Sequence, residues 1–257
     1  MELKNNLKTK TGWEIIRNSF DPEQVVTTGS NFMIGNGYLG YRGTFENWGP
    51  GEFVACIVTD TWDQARESRW SELCNVPNGL FSEVKVDGEA CSLFSGSLRE
   101  YSHELDLRHG VNTRTLHWKG PGGQELELES RKFASYDNHH LLVQELSFTA
   151  PKKGVYELKT GINAEVWSLN GSHFRTCEPG EFPESLIGIR LQTHELGTEI
   201  AIIEGVTLRG KPPGASRITA SDTGIFREYE FHLQAGETVS FEKVVAITHS
   251  NELENPL

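Results

Sequence analysis

From about residue 80 to residue 248 the chain alternates apolar and polar residues in short runs separated by turn formers. This two-residue period is the mark of strands with one wet face. Leu80 to Val86 runs into Asp87-Gly88, two residues that tolerate positive φ, and Glu89 to Leu93 returns as the second arm of a hairpin. Val111 to Trp118 and Gln124 to Phe133 flank Lys119-Gly120-Pro121-Gly122-Gly123, which predicts another. Further strands are predicted at His140 to Phe148, Val155 to Ile162, Leu186 to His194, Thr198 to Glu204, Ile225 to Leu233 and Val239 to Thr248. Helical periodicity is confined to Trp13 to Phe20, a stretch that fits a strand equally well. So many strands cannot remain solvated in one flat sheet. Stacking two sheets buries their alternate apolar residues, so the expected class is all-β, a large two-sheet antiparallel β-sandwich.

Two stretches break the alternation. Residues 60–79 carry Trp62, Asp63, Arg66, Arg69 and Trp70 and are expected to form a long connection; residues 168–184, with Asn170-Gly171, His173-Phe174 and Pro179-Gly180, are expected to form another. The two indoles could stack on a sugar ring while Asp63, Arg66 and Arg69 hydrogen-bond its hydroxyls, which makes this a candidate substrate-binding segment. The same residues would equally cap a sandwich end or face another chain.

Near the N-terminus, Gly35, Gly37 and Gly40 spell G-x-G-x-x-G. A dinucleotide fingerprint needs a helix opening on its third glycine, and Tyr41-Arg42-Gly43-Thr44-Phe45-Glu46-Asn47-Trp48-Gly49-Pro50-Gly51 cannot supply one. The glycines are therefore read as structural, permitting turns and close approach, with Tyr38, Tyr41 and Phe45 as packing surface. They are expected to lie against neighbouring protein.

Charge and cysteine content narrow the classes. A formal net charge of -12, from 36 acidic and 24 basic residues among 257, disfavours nucleic acid. There is no apolar run of membrane-spanning length and no signal-peptide core, so a cytoplasmic protein without a membrane partner is expected. Cys56, Cys74, Cys91 and Cys177 are widely spaced and read as free thiols. No metal and no cofactor are expected. Glu125, Glu127 and Glu129 should form the wet face of a hairpin. His139 and His140, at the start of a strand, should point to opposite faces, which would prevent joint metal binding. Asp106 and Arg114 are expected to brace the turn between them.

Residues 32–46, Phe-Met-Ile-Gly-Asn-Gly-Tyr-Leu-Gly-Tyr-Arg-Gly-Thr-Phe-Glu, resemble a signature of glycoside hydrolase family 65. The likeness extends to Trp13 with Phe20-Asp21-Pro22, to Leu105 through Arg114, to Arg131 through Ser135 and to Phe241 through Ile247. The resemblance implies that residues 1–257 are one N-terminal domain, a super-β-sandwich like that of galactose mutarotase. In the family an (α/α)6 catalytic barrel follows, whose Glu is the general acid and which holds the attacking inorganic phosphate. Those enzymes cleave α-glucosides such as maltose, trehalose, kojibiose or nigerose to β-glucose 1-phosphate with inversion, although hydrolases also occur. No catalytic residue can be carried onto this chain. The resemblance implies a homodimer, with Gly35, Asn36, Gly37, Tyr38, Gly40, Arg42 and Gly43 at an interface or in a structural role. It also implies that Trp62, Asp63, Arg66, Arg69 and Trp70 approach the acceptor side of the sugar site. Two rival expectations are a free-standing carbohydrate-binding module and a mutarotase-like sugar epimerase.

Overall fold

The predicted alternation from residue 80 onward supplies most strands of the two larger sheets, and further strands lie before it. The computed structural model describes residues 7–254 and residue 256. Its first strands are β1 (Glu14–Arg17), β2 (Ile34–Gly35), β3 (Leu39–Tyr41), β4 (Cys56–Asp63), β5 (Glu72–Val76), β6 (Asn78–Val86), β7 (Glu89–Ala90), β8 (Ser97–Asp106) and β9 (Val111–Lys119). There follow β10 (Glu125–Ala134), β11 (Leu141–Thr149), β12 (Gly154–Asn163), β13 (Phe174–Phe182), β14 (Leu186–Thr193), β15 (Glu199–Gly210), β16 (Ala215–Ser221), β17 (Gly224–Leu233) and β18 (Thr238–His249). One α-helix, α1 (Val25–Asn31), is present among the described residues. The stretch around Trp13 resolves as strand β1, not helix.

Nine strands form one antiparallel sheet in the order β1-β8-β9-β10-β11-β18-β15-β14-β13, and five form a second in the order β16-β17-β12-β6-β7. The second packs over β11, β14, β15 and β18 of the first, giving the expected two-layer sandwich. A four-stranded sheet, β2-β3-β4-β5, lies against β10. The turn at Asp87-Gly88 has φ of 49° and 82°, as a tight hairpin requires. Two corrections concern the stretches without alternation. Residues 60–79 are mostly strand, the ends of β4, all of β5 and the start of β6, and residues 168–184 contain β13.

Inward-facing residues of the large sheet divide into two zones. Trp118, Leu126, Leu128, Phe148, Val239 and Phe241 make an apolar zone. Beside it, Asn112, Lys132, Gln144 and Lys243 are successive cross-strand partners in a buried polar row. Buried polar groups need partners. The row obtains them from the small sheet and from its own neighbours. Lys243 Nζ donates to the carbonyls of Gly79, Phe81 and Gly161 and pairs with Glu204 at 3.3 Å, and Glu204 in turn pairs with Arg227 at 2.9 Å. Burial outweighs Glu204 and brings the Lys243 ammonium down to about 8. All four cysteines are free, and Cys56, Cys74 and Cys91 are buried. Among the described residues no helix is long and apolar enough to cross a membrane.

Candidate functional site

The residues singled out in the sequence separate into two adjacent hairpins with opposite surroundings. In the first, β2–β3, Asn36 Oδ1 accepts from the amides of Tyr38 and Leu39, while its Nδ2 donates to the carbonyls of Ser135 and His139. Gly37 takes the left-handed conformation of this turn, with φ of 92°. Gly43 has no room for a side chain: a Cβ there would lie 2.4 Å from both Cβ and O of Phe32. Arg42 donates to Val26 O of α1, and Tyr38, Tyr41 and Phe45 are buried. Gly35 and Gly40 face each other across the pair.

The segment that follows this hairpin closes one end of the polar row. Arg114 Nη1 and Lys132 Nζ both donate to Thr44 O, and Arg114 Nη2 donates to Gly43 O. Glu46 is their counter-ion, 3.0 Å from Arg114 and 2.9 Å from Lys132. Burial alone would raise its carboxyl pKa, but Lys132 and Arg114 pull it down to about 2. His103, stacked under Phe32 with Nε2 against Asn112 Oδ1, is held neutral by burial and by Arg114. Arg114 therefore pairs with Glu46, not with Asp106 as the sequence suggested. Asp106 instead holds His109 at 2.6 Å and accepts from the Arg108 and His109 amides. The reason is the alternation of β9, which turns Arg114 inward while Asp106 stays at the turn.

The second hairpin, β4–β5, leaves alternate side chains of β4 and much of its loop exposed. Its register shifts between Ile57 and Trp62, and Asp60 sits in the shift with φ of 58°. Before the shift Cys56 and Val58 face inward; after it Thr61 and Asp63 do. The inserted residue thus reverses the phase of the strand, turning Trp62 out and Asp63 in. Trp62 is 49 % exposed and Trp70 is 59 % exposed. At the tip Gln64 Nε2 donates to Ser68 O, and Ser68 Oγ both donates to Trp70 O and accepts from its amide. Arg66 and Arg69 are exposed there, and no carboxylate among the described residues pairs with either.

Asp63 is buried, and its Oδ1 accepts from the amides of Glu195 and Leu196. Its carboxylate anchors the β14–β15 turn and does not face solvent with its neighbours. Beneath the hairpin His173 is buried between two carboxylates, its Nε2 2.8 Å from Glu72 and its Nδ1 3.6 Å from Asp63, the latter too long for a hydrogen bond. Asn170 also donates to Glu72 through its amide and its side chain. These contacts tie the loop end of the hairpin to residues 170–173. A surface depression of about 330 Å³ lies at the tip, lined by Gln64, Ala65, Arg66, Arg175, His194 and Glu195.

Trp62, Arg66, Arg69 and Trp70 are thus exposed together at the loop end of the hairpin, and Asp63 beside them is turned inward. Sequence reasoning named His173 only as part of a connection and gave no role to Glu72, Arg175 or His194. The signal available was that both stretches without alternation carried Trp or His beside turn formers, and they meet. Two more expectations change. Glu127 and Glu129 are solvated, but Glu125 is covered by Lys152, Arg99 and His117. His139 and His140 precede β11, so strand alternation does not apply to them, and their rings lie 4.2 Å apart with both reaching Glu252.

Residues 15–257 match the profile of glycosyl hydrolase family 65, N-terminal domain. A 1,2-alpha-glucosylglycerol phosphorylase of Bacillus selenitireducens is 35 % identical over 99 % of this chain and 33 % of its own length. A nigerose phosphorylase of Lachnoclostridium phytofermentans is 28 % identical over 93 % of this chain and 34 % of its own. A solved chain from the human microbiome, provisionally named a kojibiose phosphorylase, superposes with a TM-score of 0.83 at 16 % identity, covering 95 % of this chain and 33 % of that one. The chain therefore spans about a third of the length of the relatives it matches.

Proposed function

The chain belongs to glycosyl hydrolase family 65, as its N-terminal domain, and from that membership we propose that it is the non-catalytic sandwich of a cytoplasmic α-glucoside phosphorylase. In this reading a C-terminal catalytic domain of the same protein carries the general acid and the inorganic phosphate. It releases β-glucose 1-phosphate with inversion. The sandwich supports that domain, takes part in a homodimer, and presents the β4–β5 tip to the acceptor side of the sugar site. The named relatives act on glucosylglycerol and on nigerose, which share an α-linked glucosyl group and differ in what it is attached to. That glucosyl group is the proposed donor.

The observation that carries the non-catalytic reading is the filling of the polar row. An epimerase on this fold needs a His acid and a carboxylate base converging in an open cleft. Here His103 lies under Phe32, and Glu46 is enclosed by Arg114 and Lys132. The test is phosphate-dependent release of glucose 1-phosphate from glucosylglycerol, nigerose, kojibiose, maltose and trehalose. The full-length protein is expected to use at least one, and residues 1–257 alone none. Turnover by residues 1–257 alone would overturn the reading.

A second reading, a carbohydrate-binding module, is favoured by the exposed indoles of Trp62 and Trp70 beside exposed arginines. Calorimetric titration of residues 1–257 with the same disaccharides separates the two. A module binds, and loses binding in Trp62→Ala and Trp70→Ala; a scaffold domain does not bind on its own.

A further inference from the structure

Away from the hairpin tip, a cluster of nitrogen and oxygen donors forms where the turn before β11 meets the turn after β18. His139 Nε2 is 3.5 Å from Glu252 Oε1, and His140 Nε2 is 3.1 Å from Glu252 Oε2. One ligand atom from each of the three residues falls within 4.8 Å of the others. Beneath them lies His249, the last residue of β18. It is 2 % exposed, neither ring nitrogen has a hydrogen-bond partner, and its Nε2 stands 4.0 Å from Glu252 Oε2. A buried imidazole with both nitrogens unpaired is uncommon and needs a partner.

We propose that His139, His140, His249 and Glu252 form a binding site for a divalent transition metal of the zinc class. Three imidazoles and one carboxylate are the donor set that such borderline metals prefer. Calcium and magnesium need more oxygen donors than this cluster offers. Bonds of the usual zinc length, arranged tetrahedrally, place neighbouring donor atoms about 3.3 to 3.5 Å apart. His139 and His140 stand 3.5 and 3.1 Å from the two oxygens of Glu252, close to that edge, and His249 Nε2, 4.0 Å from Glu252 Oε2, has to draw nearer to complete the set. His139 is exposed, which leaves one side open to water.

The rings are also held in place. Tyr38 stacks flat against His249, at 5.8 Å and 7°, and meets His140 edge-on at 4.7 Å. Asn36 Nδ2 fixes His139 O, Ile247 N fixes His140 O, and the amide of Glu252 donates to His249 O. Such outer contacts orient metal ligands.

The test is calorimetric titration of the metal-free, tag-free chain with zinc chloride at neutral pH, paired with cobalt(II) absorption and thermal melting. One equivalent should bind with a Kd on the order of 1 μM or tighter. Cobalt should give the visible bands of a four-coordinate site, and zinc should raise Tm. Glu252→Gln, which preserves shape, and the double variant His139→Ala/His140→Ala should each weaken binding at least about tenfold. His232→Ala should leave it unchanged, since His232 sits on β17 with Glu230 alone. Absence of saturable zinc binding, or equal binding by wild type and both cluster variants, would overturn the proposal. Circular dichroism of Glu252→Gln separates lost ligation from lost folding.

Discussion

The hairpins β2–β3 and β4–β5 are neighbours in one four-stranded sheet, yet they treat their side chains in opposite ways. The first carries the recognisable glycine signature, and the polar side chain at its turn is satisfied inside the molecule: Asn36 holds four backbone groups, and in the segment that follows Glu46 holds two cations. The second has no recognisable motif and carries exposed Trp62 and Trp70 beside exposed Arg66 and Arg69. A conspicuous sequence pattern can mark architecture, while the groups free to meet a ligand sit where the pattern fails.

Breaking the first hairpin's internal contacts should do most. Glu46→Gln leaves Arg114 and Lys132 buried with a neutral partner, and losing one member of a buried pair costs about 3–5 kcal/mol. Urea denaturation should register this as a fall in midpoint at unchanged slope; a loss under about 1 kcal/mol would mean the hub is not what holds the motif down.

Acid should act on the same group. The folded carboxyl of Glu46 lies at about 2 against an ordinary 4.5, so the stability it contributes is complete above pH 4.5 and is lost as pH falls from 4.5 toward 2. That contribution is on the order of 3 kcal/mol. Glu46→Gln should flatten the stability profile across this window, measured by denaturation at a series of pH values.

Gly43→Ala should cost about 1–3 kcal/mol, because its Cβ meets Phe32 and the hairpin must shift. Gly37→Ala, where space is open but φ is 92°, should cost less, about 1 kcal/mol of backbone strain. Equal losses at the two glycines would remove the steric part of the explanation.

Trp62→Ala and Trp70→Ala mark the other side of the comparison. Each should change stability by no more than about 0.5 kcal/mol. In the full-length protein each should raise KM for the sugar acceptor in the synthetic direction, by about tenfold, and leave KM for phosphate unaltered. A stability loss like that of Gly43→Ala would make the tip part of the core.

How much was legible follows from range. The turn at Asp87-Gly88 and the arms around Gly120 to Gly123 were readable because both the turn residues and the alternation are local. Strand β13 was not, because Phe174–Phe182 lies at the edge of the large sheet, contains Pro179-Gly180 and buries no regular face. Helix α1 was not, because Thr-Thr-Gly is a poor helical stretch. The phase reversal of β4 comes from one inserted residue, which no two-residue period announces. Glu46 and Arg114 are 68 residues apart, and His140 and Glu252 are 112 apart. Alternation tells which way each side chain points along its own strand, but only strand order tells which residues then meet.

The place of β18 has a consequence for timing. The last strand among the described residues is not an edge but a central member of the nine-stranded sheet, hydrogen-bonded to β11 on one side and β15 on the other. Until it arrives, that sheet exists only as two pieces, β1-β8-β9-β10-β11 and β15-β14-β13, each with an unpaired edge. During synthesis these edges wait for residues 238–249 to emerge, so the nascent chain passes through a stage that must be kept from pairing with its neighbours before the sheet can close.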